Sequence, residues 1–323
     1  MNYNIQANSC QAIIDELNIR KRTHGKIIDD LCKSFSKLDK ATEEKEKRIK
    51  ECGSMIILNE KGQIVSANFC KNRYCPICQW RKSRKAFALA FNIQQHIEDK
   101  HDHNFIFLTL TLKNVKNLSS GIDHILESFK RLQDTQAFRR TSKGFFRTLE
   151  ITYNHKTKEW HPHIHTIVAV PYDYFINEKY YIDIEQWRNL WKTVAHVDYL
   201  PQCHVEKIKE EDREKAIAEI SKYMVKPLDL ELSQNTEEIY TQLLKSTFGR
   251  RLSSLGGVYR EAHGILKKQY DEELQKEAEK EFRESEELLV FEYFGESYIN
   301  SDILIKNCNS QEKVSKKGEI YAR

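Results

Sequence analysis

Two histidines separated by one residue carry the strongest chemical signal in this sequence. His163 and His165 lie in the run HPHIHTIVAV, whose apolar residues predict a β-strand. Side chains alternate across a strand, so both imidazoles are expected on one face. Two imidazoles at this spacing can bind one divalent metal ion, and the sequence favours this over a pair of merely hydrogen-bonded histidines. His161 is two residues before His163 and is expected on the same face of the strand. It could replace either histidine as a metal ligand or contact a phosphate.

A third metal ligand has to come from a neighbouring strand. The segment RTLEIT places Glu150 in a strand that is predicted to pair with the histidine strand as a hairpin. A carboxylate oxygen beside two imidazole nitrogens suits Mg²⁺ or Mn²⁺ and does not exclude Zn²⁺. An ordinary cross-strand carboxylate would give the same pattern, so both readings of Glu150 stay open.

A candidate nucleophile lies downstream, in the segment EISKYMVK. Glu219 and Tyr223 are four residues apart and share one face of a predicted helix, and Lys226 follows close to that face. A phenol with a pKa near about 10 is a poor nucleophile, but a metal that polarises the scissile phosphate makes attack feasible, and Lys226 offsets the developing charge. Glu219 could then activate water. Tyr153 and Tyr181 are the alternative nucleophiles.

Four cysteines predict a structural zinc site. Cys70, Cys75 and Cys78 fall within nine positions, and Cys52 is the candidate fourth ligand. This compact spacing with polar neighbours fits tetrahedral zinc better than buried free thiols or a redox pair. The other cysteines have no further cysteine close by in the sequence and are predicted to be ordinary core or surface residues, namely Cys10, Cys32, Cys203 and Cys308.

A basic cluster surrounds these cysteines, although the net charge of the whole chain is only +4. Its six members are Lys71, Arg73, Arg81, Lys82, Arg84 and Lys85. Such a cluster attracts phosphates, so we predict contacts to DNA, with Tyr74 or Trp80 available for stacking on a base. A purely structural role for the zinc segment is the alternative.

The order of predicted elements defines the fold class. From residue 105 onwards the sequence predicts a strand (105–112), a helix (121–140), two strands (145–153 and 163–170), a helix (184–197), a strand (203–208) and a helix (211–225). Hairpin pairing mixed with helices predicts an α+β domain with a central, mostly antiparallel sheet and flanking helices.

The remaining chain is predicted to be mostly helical. Helices are expected over 11–50, 80–98, 236–244 and 264–289, with a strand over 290–298. We therefore divide the chain into an N-terminal helical region (1–50), a cysteine-rich zinc-binding region (51–100), a central domain (101–230) and a C-terminal helical region (231–323). No apolar run suits a membrane span or a signal peptide, which predicts a cytoplasmic protein with no membrane partner.

These motifs together resemble a known set. FLTLTL, the HPHIH strand and the Glu-x-x-x-Tyr-x-x-Lys helix stand in the order found in HUH endonucleases. More closely, the chain resembles the rolling-circle replication initiators of small Gram-positive plasmids. FCKNRYCPICQWRKSRK is similar to that family's cysteine-rich segment, and FGRR followed by GGV to another family stretch. The resemblance covers roughly residues 50 to 265 and is specific because these separated motifs agree.

The resemblance implies an HUH-type nicking and ligating domain with one catalytic tyrosine, Tyr223. It implies His163 and His165 as metal ligands and Glu219 as the residue that handles the terminating hydrolysis. Family members nick one strand at a double-strand origin, which leaves a 5′-phosphotyrosine link and a free 3′-hydroxyl. They work with a host helicase and DNA polymerase, and a homodimer is also considered. On this resemblance the C-terminal region (231–323) is expected to bind the origin or a partner. The rival predictions are a mobilisation relaxase, a single-tyrosine transposase, or a non-catalytic zinc-containing DNA-binding regulator.

Overall fold

The computed structural model describes residues 3–38, 41–59, 62–221, 236–268 and 288–305. The helices are α1 (Tyr3–Ser36), α2 (Glu43–Lys50), α3 (Pro76–Lys100), α4 (Leu118–Asp134), α5 (Gln136–Thr141), α6 (Ile184–Ala195), α7 (Arg213–Ser221), α8 (Thr236–Thr247) and α9 (258–268). The strands are β1 (Met55–Asn59), β2 (Ile64–Ala67), β3 (His103–Thr111), β4 (Gly144–Asn154), β5 (Glu159–Pro171), β6 (Cys203–Lys207), β7 (Ser253–Gly257), β8 (Leu288–Phe294) and β9 (Ser297–Ile305).

The larger sheet has five strands in the order β6-β3-β5-β4-β7, and every neighbouring pair is antiparallel. Its centre is formed by β3 and β5, whose apolar β-branched and aromatic residues favour a strand that is covered on both sides. The predicted α+β class with an antiparallel sheet and flanking helices is therefore confirmed.

Alternate side chains of β3 and β5 enter two separate apolar layers, as the two-residue period of a strand requires. On one face, Leu108 and Ile164 pack with side chains of α4 and α6. On the other face, Phe107 and Ile167 pack with side chains of α3, α7 and α9. His163 and His165 share the parity of Ile167, so they lie on the face that carries α7.

A second sheet, which the sequence analysis did not predict, has the order β2-β1-β8-β9. Its central pair joins residues far apart in sequence, with Met55 opposite Glu292. The strand predicted over 290–298 is instead the hairpin β8-β9, which turns at Gly295, where φ is +60°. Such long-range pairing leaves no local pattern in the sequence, because β1 and β8 are each only five to seven residues long.

Two predicted helices are each divided in the structure. Thr135 ends α4, and its side chain accepts a hydrogen bond from Phe138 N at the start of α5. Thr42 caps α2 in the same way and separates it from α1. None of the helices in the described ranges combines the length and apolar character that crossing a bilayer requires.

The division into four regions remains a prediction, and strand pairing crosses two of its boundaries. Strand β7, from the region predicted to be helical, pairs with β4, and β8 pairs with β1 of the cysteine-rich region. The predicted helix over 264–289 begins earlier, at 258, and residues 269–287 lie outside the described residues. Strand β5 begins at Glu159, so His161 is also part of the histidine strand.

Candidate active site

The pairing of β4 with β5 brings the three predicted metal ligands together. Glu150 lies opposite His163 in the register. The Nε2 atoms of His163 and His165 are 3.0 Å and 2.9 Å from the same oxygen, Oε2 of Glu150. One ligand atom from each residue lies within 4.8 Å of the others. The side chains are only 12–13% exposed, so this triad forms a partly buried polar site on the α7 face of the sheet.

Hydrogen bonds on the far side of each imidazole fix the orientation of both rings. Nδ1 of His163 donates to the carbonyl oxygen of His161 at 3.2 Å. Nδ1 of His165 is 3.1 Å from Oγ1 of Thr109, which lies opposite His165 in the register of β3 with β5. Because Nδ1 is engaged in both rings, Nε2 is the atom that faces Glu150 and that could bind a metal ion in place of this contact.

Thr109 is a site residue that the sequence analysis missed. The signal that could have revealed it is the polar threonine within the apolar strand FIFLTLTL. In a central strand, a hydroxyl on a covered face needs a hydrogen-bond partner.

The triad fits a divalent metal ion by geometry and by donor chemistry. Adjacent ligands of an octahedral ion at about 2.1 Å lie about 3.0 Å apart, which matches the separations between Glu150 and the two histidines. Burial raises the pKa of Glu150, but the hydrogen bonds from His163 and His165 outweigh it and hold the pKa below its usual value. Glu150 is therefore present as the carboxylate that a metal ion requires.

His161 lies beside the triad, but it is not one of the three residues whose ligand atoms converge. Its ring centroid is 5.3 Å from that of His163, and its Nδ1 is 2.9 Å from Oδ1 of Asn114. Burial, followed by the neighbouring His163, lowers its pKa. Of the two roles predicted for His161, the phosphate contact therefore fits the structure better than the metal ligand.

The helix predicted to carry the nucleophile is described as far as Ser221. Tyr223 and Lys226 lie outside the described residues. Glu219 is half-buried on α7, while Ile217 and Ile220 of the same helix are buried against the sheet.

The end of α7 is attached to the sheet next to the triad. Oγ1 of Thr148 donates to the carbonyl oxygen of Ile220 at 2.8 Å, and Thr148 lies opposite His165 in the register of β4 with β5. Thr148 and Glu150 are two positions apart in β4, so their side chains project from the same face of the sheet. The chain therefore leaves α7 on the face of the sheet that carries Glu150 and both histidines.

The two alternative nucleophiles lie elsewhere. Tyr153 has the parity of the buried Leu149 and packs against Trp160, with 4.6 Å between the ring centroids, so it belongs to the opposite face from Glu150. Tyr181 packs on Tyr174, which follows the end of β5 at Pro171, at the opposite end of the strand from His163.

The four predicted zinc ligands also converge. Sγ of Cys52 is 3.5 Å from that of Cys75 and 3.6 Å from that of Cys78, and Cys70 is 3.6 Å from Cys78. These distances exclude disulfides and approach the edge of about 3.8 Å expected for four sulfurs around Zn²⁺. Backbone N–H groups of Cys70 and Asn72 donate to sulfurs of the cluster. The cysteine knuckle, residues 70–78 together with Cys52, therefore fits zinc.

Distant elements enclose the cysteine knuckle. Nζ of Lys21 in α1 donates to the carbonyl oxygen of Cys52 at 2.6 Å, and the hydroxyl of Tyr298 in β9 donates to the carbonyl oxygen of Gly53. Hydrogen bonds from the other three thiols lower the pKa of the Cys78 thiol. The hydrogen bond with Cys52 raises the pKa of Cys70, and burial raises that of Cys75, so Cys78 is the thiol favoured as a thiolate before a metal ion binds. Of the cysteines predicted to lie apart, Cys10, Cys32 and Cys203 are buried free thiols, and Cys308 lies outside the described residues.

Five of the six predicted DNA-binding residues line a single cleft beside the knuckle, namely Lys71, Arg73, Arg81, Lys82 and Lys85. The sixth, Arg84, lies over the ring of Trp80. The prediction that Tyr74 stacks on a base is wrong, because its side chain is 1% exposed and its hydroxyl is 2.7 Å from Oγ1 of Thr247.

Comparison with known proteins points to replication. The model of the family described as "Replication protein" (Rep_1) matches residues 61–299. A protein named "Protein rep" from Staphylococcus aureus is 39% identical over 173 residues, which cover 53% of this chain and 75% of that protein. Another "Protein rep", from Bacillus amyloliquefaciens, is 33% identical over 252 residues, which cover 69% and 73%. No solved structure matches the chain.

Proposed function

The chain belongs to the Rep_1 family of replication proteins, the plasmid replication initiators, and on this premise we propose that it nicks one strand of a rolling-circle origin through Tyr223. The observation that carries the proposal is the placement of a metal-binding triad beside the end of the helix that leads to this tyrosine. Glu150, His163 and His165 converge on one point, and Thr148 attaches the carbonyl of Ile220 to the same face of the sheet.

Glu150, His163 and His165 are the residues that would hold the catalytic ion, Mg²⁺ or Mn²⁺. A bound divalent ion would polarise the scissile phosphate as a Lewis acid. The protein's own contribution is to hold its ligands in place before DNA binds. Thr109 and the carbonyl of His161 fix the two rings, and the sheet fixes the carboxylate between them.

The proposal requires Tyr223 to reach this site, and the length of the covalent chain allows it. Tyr223 lies three positions after Ile220 in the sequence, and three extended residues span at most about 10 Å. In the proposed reaction the phenol oxygen of Tyr223 forms the new bond to phosphorus and the 3′ oxygen leaves. The strand then has a free 3′-hydroxyl for a polymerase and a 5′ end linked to the protein. Lys226 would offset the negative charge that develops on the phosphate.

Glu219 is proposed to end the reaction. It precedes Tyr223 by four residues in the sequence, the spacing at which two side chains of one helix would meet. A carboxylate there can take a proton from water, so that a hydroxyl rather than another tyrosine attacks the phosphorus in the last step. The covalent link would thus be removed by strand transfer followed by hydrolysis.

The cysteine knuckle is proposed to hold a structural Zn²⁺ through Cys52, Cys70, Cys75 and Cys78. The basic residues around it, Lys71, Arg73, Arg81, Lys82, Arg84 and Lys85, are proposed to bind the phosphates of plasmid DNA. A host helicase, a DNA polymerase and a homodimer remain predictions from the family resemblance.

The experiment is a cleavage assay with Tyr223→Phe on supercoiled plasmid that carries the origin, in the presence of Mn²⁺. This change removes only the attacking oxygen, so we expect cleavage to fall by about 1,000-fold or more while DNA binding is retained. Tyr181→Phe is the matched control and should cleave normally. A protein-linked oligonucleotide digested for mass spectrometry should carry its adduct on Tyr223.

Three outcomes would change the proposal. Normal cleavage by Tyr223→Phe would move the nucleophile to another tyrosine, such as Tyr199 near the end of β3, whose hydroxyl accepts a hydrogen bond from the backbone N–H of Lys113. No cleavage by the unaltered protein would support the non-catalytic DNA-binding regulator. Cleavage at a transfer origin or at the end of a mobile element would support the relaxase or the transposase.

A further inference from the structure

The segment that builds the cysteine knuckle and the first half of α3 has an unusual charge pattern. Residues 61–97 contain no aspartate or glutamate, and they contain Lys61, Lys71, Arg73, Arg81, Lys82, Arg84 and Lys85. The structure gathers five of these cations around a cleft of about 320 Å³. Within the described ranges, Lys71, Arg81, Arg84 and Lys85 form no salt bridge with a carboxylate. In the part of the chain that the structure describes, Lys71, Arg81 and Lys85 therefore give the cleft positive charge that is not paired with a carboxylate.

The arginines of the cleft are held in fixed positions. The guanidinium of Arg81 lies over the ring of Phe69, 4.5 Å from its centroid, and Nη1 of Arg73 donates to the carbonyl oxygen of Thr247 at 2.7 Å. A stacked guanidinium keeps its in-plane N–H groups for a phosphate. Burial, followed by the charge of Arg81, lowers the pKa of Lys85, which agrees with crowded positive charge. This arrangement favours phosphate binding over base stacking inside the cleft.

An exposed aromatic ring follows the wall of the cleft directly. Thr247 accepts the hydrogen bond from Arg73, and the next residue, Phe248, is 65% exposed. The loop that begins with Phe248 enters β7, whose Ser253 lies opposite Thr148. Thr148 in turn lies opposite His165. Phe248 therefore lies on the segment that connects the cleft to the edge of the sheet beside the metal triad.

We propose that single-stranded DNA next to the nick site runs from the triad to the cysteine knuckle, with its phosphates in the cleft and one base stacked on Phe248. Backbone contacts alone would not distinguish single strands from duplex, whereas an exposed phenyl ring can stack only on an unpaired base. The inference deepens the proposed function and rests on it. Arg73, fixed to Thr247, is the positioning residue that holds the cleft against the Phe248 loop.

The test uses the full-length protein with its zinc and measures binding of a fluorescent oligothymidylate by anisotropy over a series of salt concentrations. The double variant Arg81→Ala/Lys85→Ala loses two phosphate contacts, so the slope of log affinity against log salt should shrink by about 1.4. Affinity at low salt should fall about tenfold or more. The matched control, Lys130→Ala/Arg140→Ala, removes two exposed charges of α4 and α5 that do not line the cleft, and it should leave both values unchanged.

Phe248→Ala tests the stacked base. It should weaken binding of the single strand by about 5- to 150-fold and leave the salt slope and duplex binding nearly unchanged. Phe294→Ala is the matched control, because Phe294 is also largely exposed, at 60%, but lies on the second sheet. Zinc content and thermal midpoint of each variant show whether a change in binding has a folding cause.

The outcomes separate this inference from the proposed function. If the Arg81→Ala/Lys85→Ala protein has a normal zinc content and binds the oligothymidylate like its control, the cleft does not bind the phosphates of DNA. Equal losses for single strand and duplex, with no effect of Phe248→Ala, would overturn the single-stranded path. His163→Ala is assayed in parallel for cleavage. If His163→Ala cleaves normally, the proposed nicking function is contradicted. If it is inactive while the cleft variants bind DNA normally, only the proposed route of the single strand is contradicted.

Discussion

The orientation of His165 depends on one hydroxyl group. Thr109 Oγ1 is 3.1 Å from Nδ1 of His165, and this contact determines that Nε2 points towards Glu150. Partners of this kind hold the tautomer and the direction of a ligand imidazole, and their loss usually costs metal affinity by about 10- to 100-fold. Thr109 therefore contributes to metal binding without contacting the ion.

Thr109→Val should raise the Mn²⁺ concentration needed for half-maximal cleavage by about 10- to 100-fold, and cleavage should recover at saturating Mn²⁺. Valine nearly preserves the shape of threonine, so the strand should keep its packing. Thr111→Val is the matched control, since Oγ1 of Thr111 donates to the carbonyl of Gln202 and not to a histidine of the triad. An unchanged Mn²⁺ requirement in Thr109→Val would contradict this role.

Glu219→Ala should separate the first step of the reaction from the last. The proposed nicking step does not use Glu219, so the initial nick should proceed at nearly the normal rate. The covalent protein–DNA adduct should persist, because hydrolysis loses its general base and slows by about 100-fold or more. Glu214→Ala, an exposed carboxylate at the start of the same helix, should behave normally. Loss of the initial nick in Glu219→Ala would show that Glu219 positions the tyrosine or the metal instead.

Much of the candidate site could be predicted because its geometry is local. The spacing of His163 and His165 fixes their common face, and the hairpin of β4 with β5 places Glu150 opposite. Thr109 could not be assigned in advance, since its contact depends on the register of β3 with β5. The position of Tyr223 stays a prediction, as it lies outside the described residues.

Strand β7 joins the edge of the large sheet through two consecutive glycines. A Cβ atom on Gly256 would lie 2.3 Å from the ring of Phe145. A Cβ atom on Gly257, where φ is +52°, would lie 2.1 Å from the carbonyl oxygen of Lys143. The backbone of β7 can therefore approach β4 only without side chains at these positions, and the Phe248 loop depends on this approach.

Gly257→Ala should lower the free energy of unfolding by about 3 kcal/mol or more, since it combines left-handed backbone strain with a clash against backbone. Gly264→Ala is the matched control. Gly264 lies in α9 with open space around its Cβ position, so alanine there should add about 0.5–1 kcal/mol. Denaturant unfolding measures both values. Equal free energies of unfolding for the two variants would show that the pairing of β7 with β4 does not require glycine at position 257.

The elements that were predicted well are those whose signal is contained in their own sequence. FIFLTLTL gives β3 because it is apolar and rich in β-formers, and the amphipathic pattern of 121–140 gives α4. SSLGG has neither property and becomes β7 only because β4 offers an edge. The second sheet was missed for a different reason: MIILN of β1 is apolar but only five residues long, and it becomes a central strand only when β8 pairs with it.

Helix α1 and strand β9, which come from opposite ends of the sequence, both contact the cysteine knuckle. Lys21 of α1 and Tyr298 of β9 hydrogen-bond consecutive carbonyl oxygens, those of Cys52 and Gly53. The knuckle in turn holds the first turns of α3 and contacts α8 through Tyr74 and Thr247. Stability of the proposed zinc site therefore depends on residues from both ends of the chain, although its ligands span only residues 52–78.

Tyr298→Phe should loosen the proposed zinc site from a distance. Burial raises the pKa of the Tyr298 phenol, so its hydroxyl stays protonated and donates to Gly53. Without this donor the carbonyl of Gly53 loses its partner, at a cost of about 1–3 kcal/mol. Zinc transfer to a coloured chelator should become about tenfold faster, since about 1.4 kcal/mol corresponds to a factor of ten. Tyr293→Phe, on the neighbouring strand, should release zinc at the normal rate. Equal rates for the two variants would mean that β9 covers the knuckle without stabilising it.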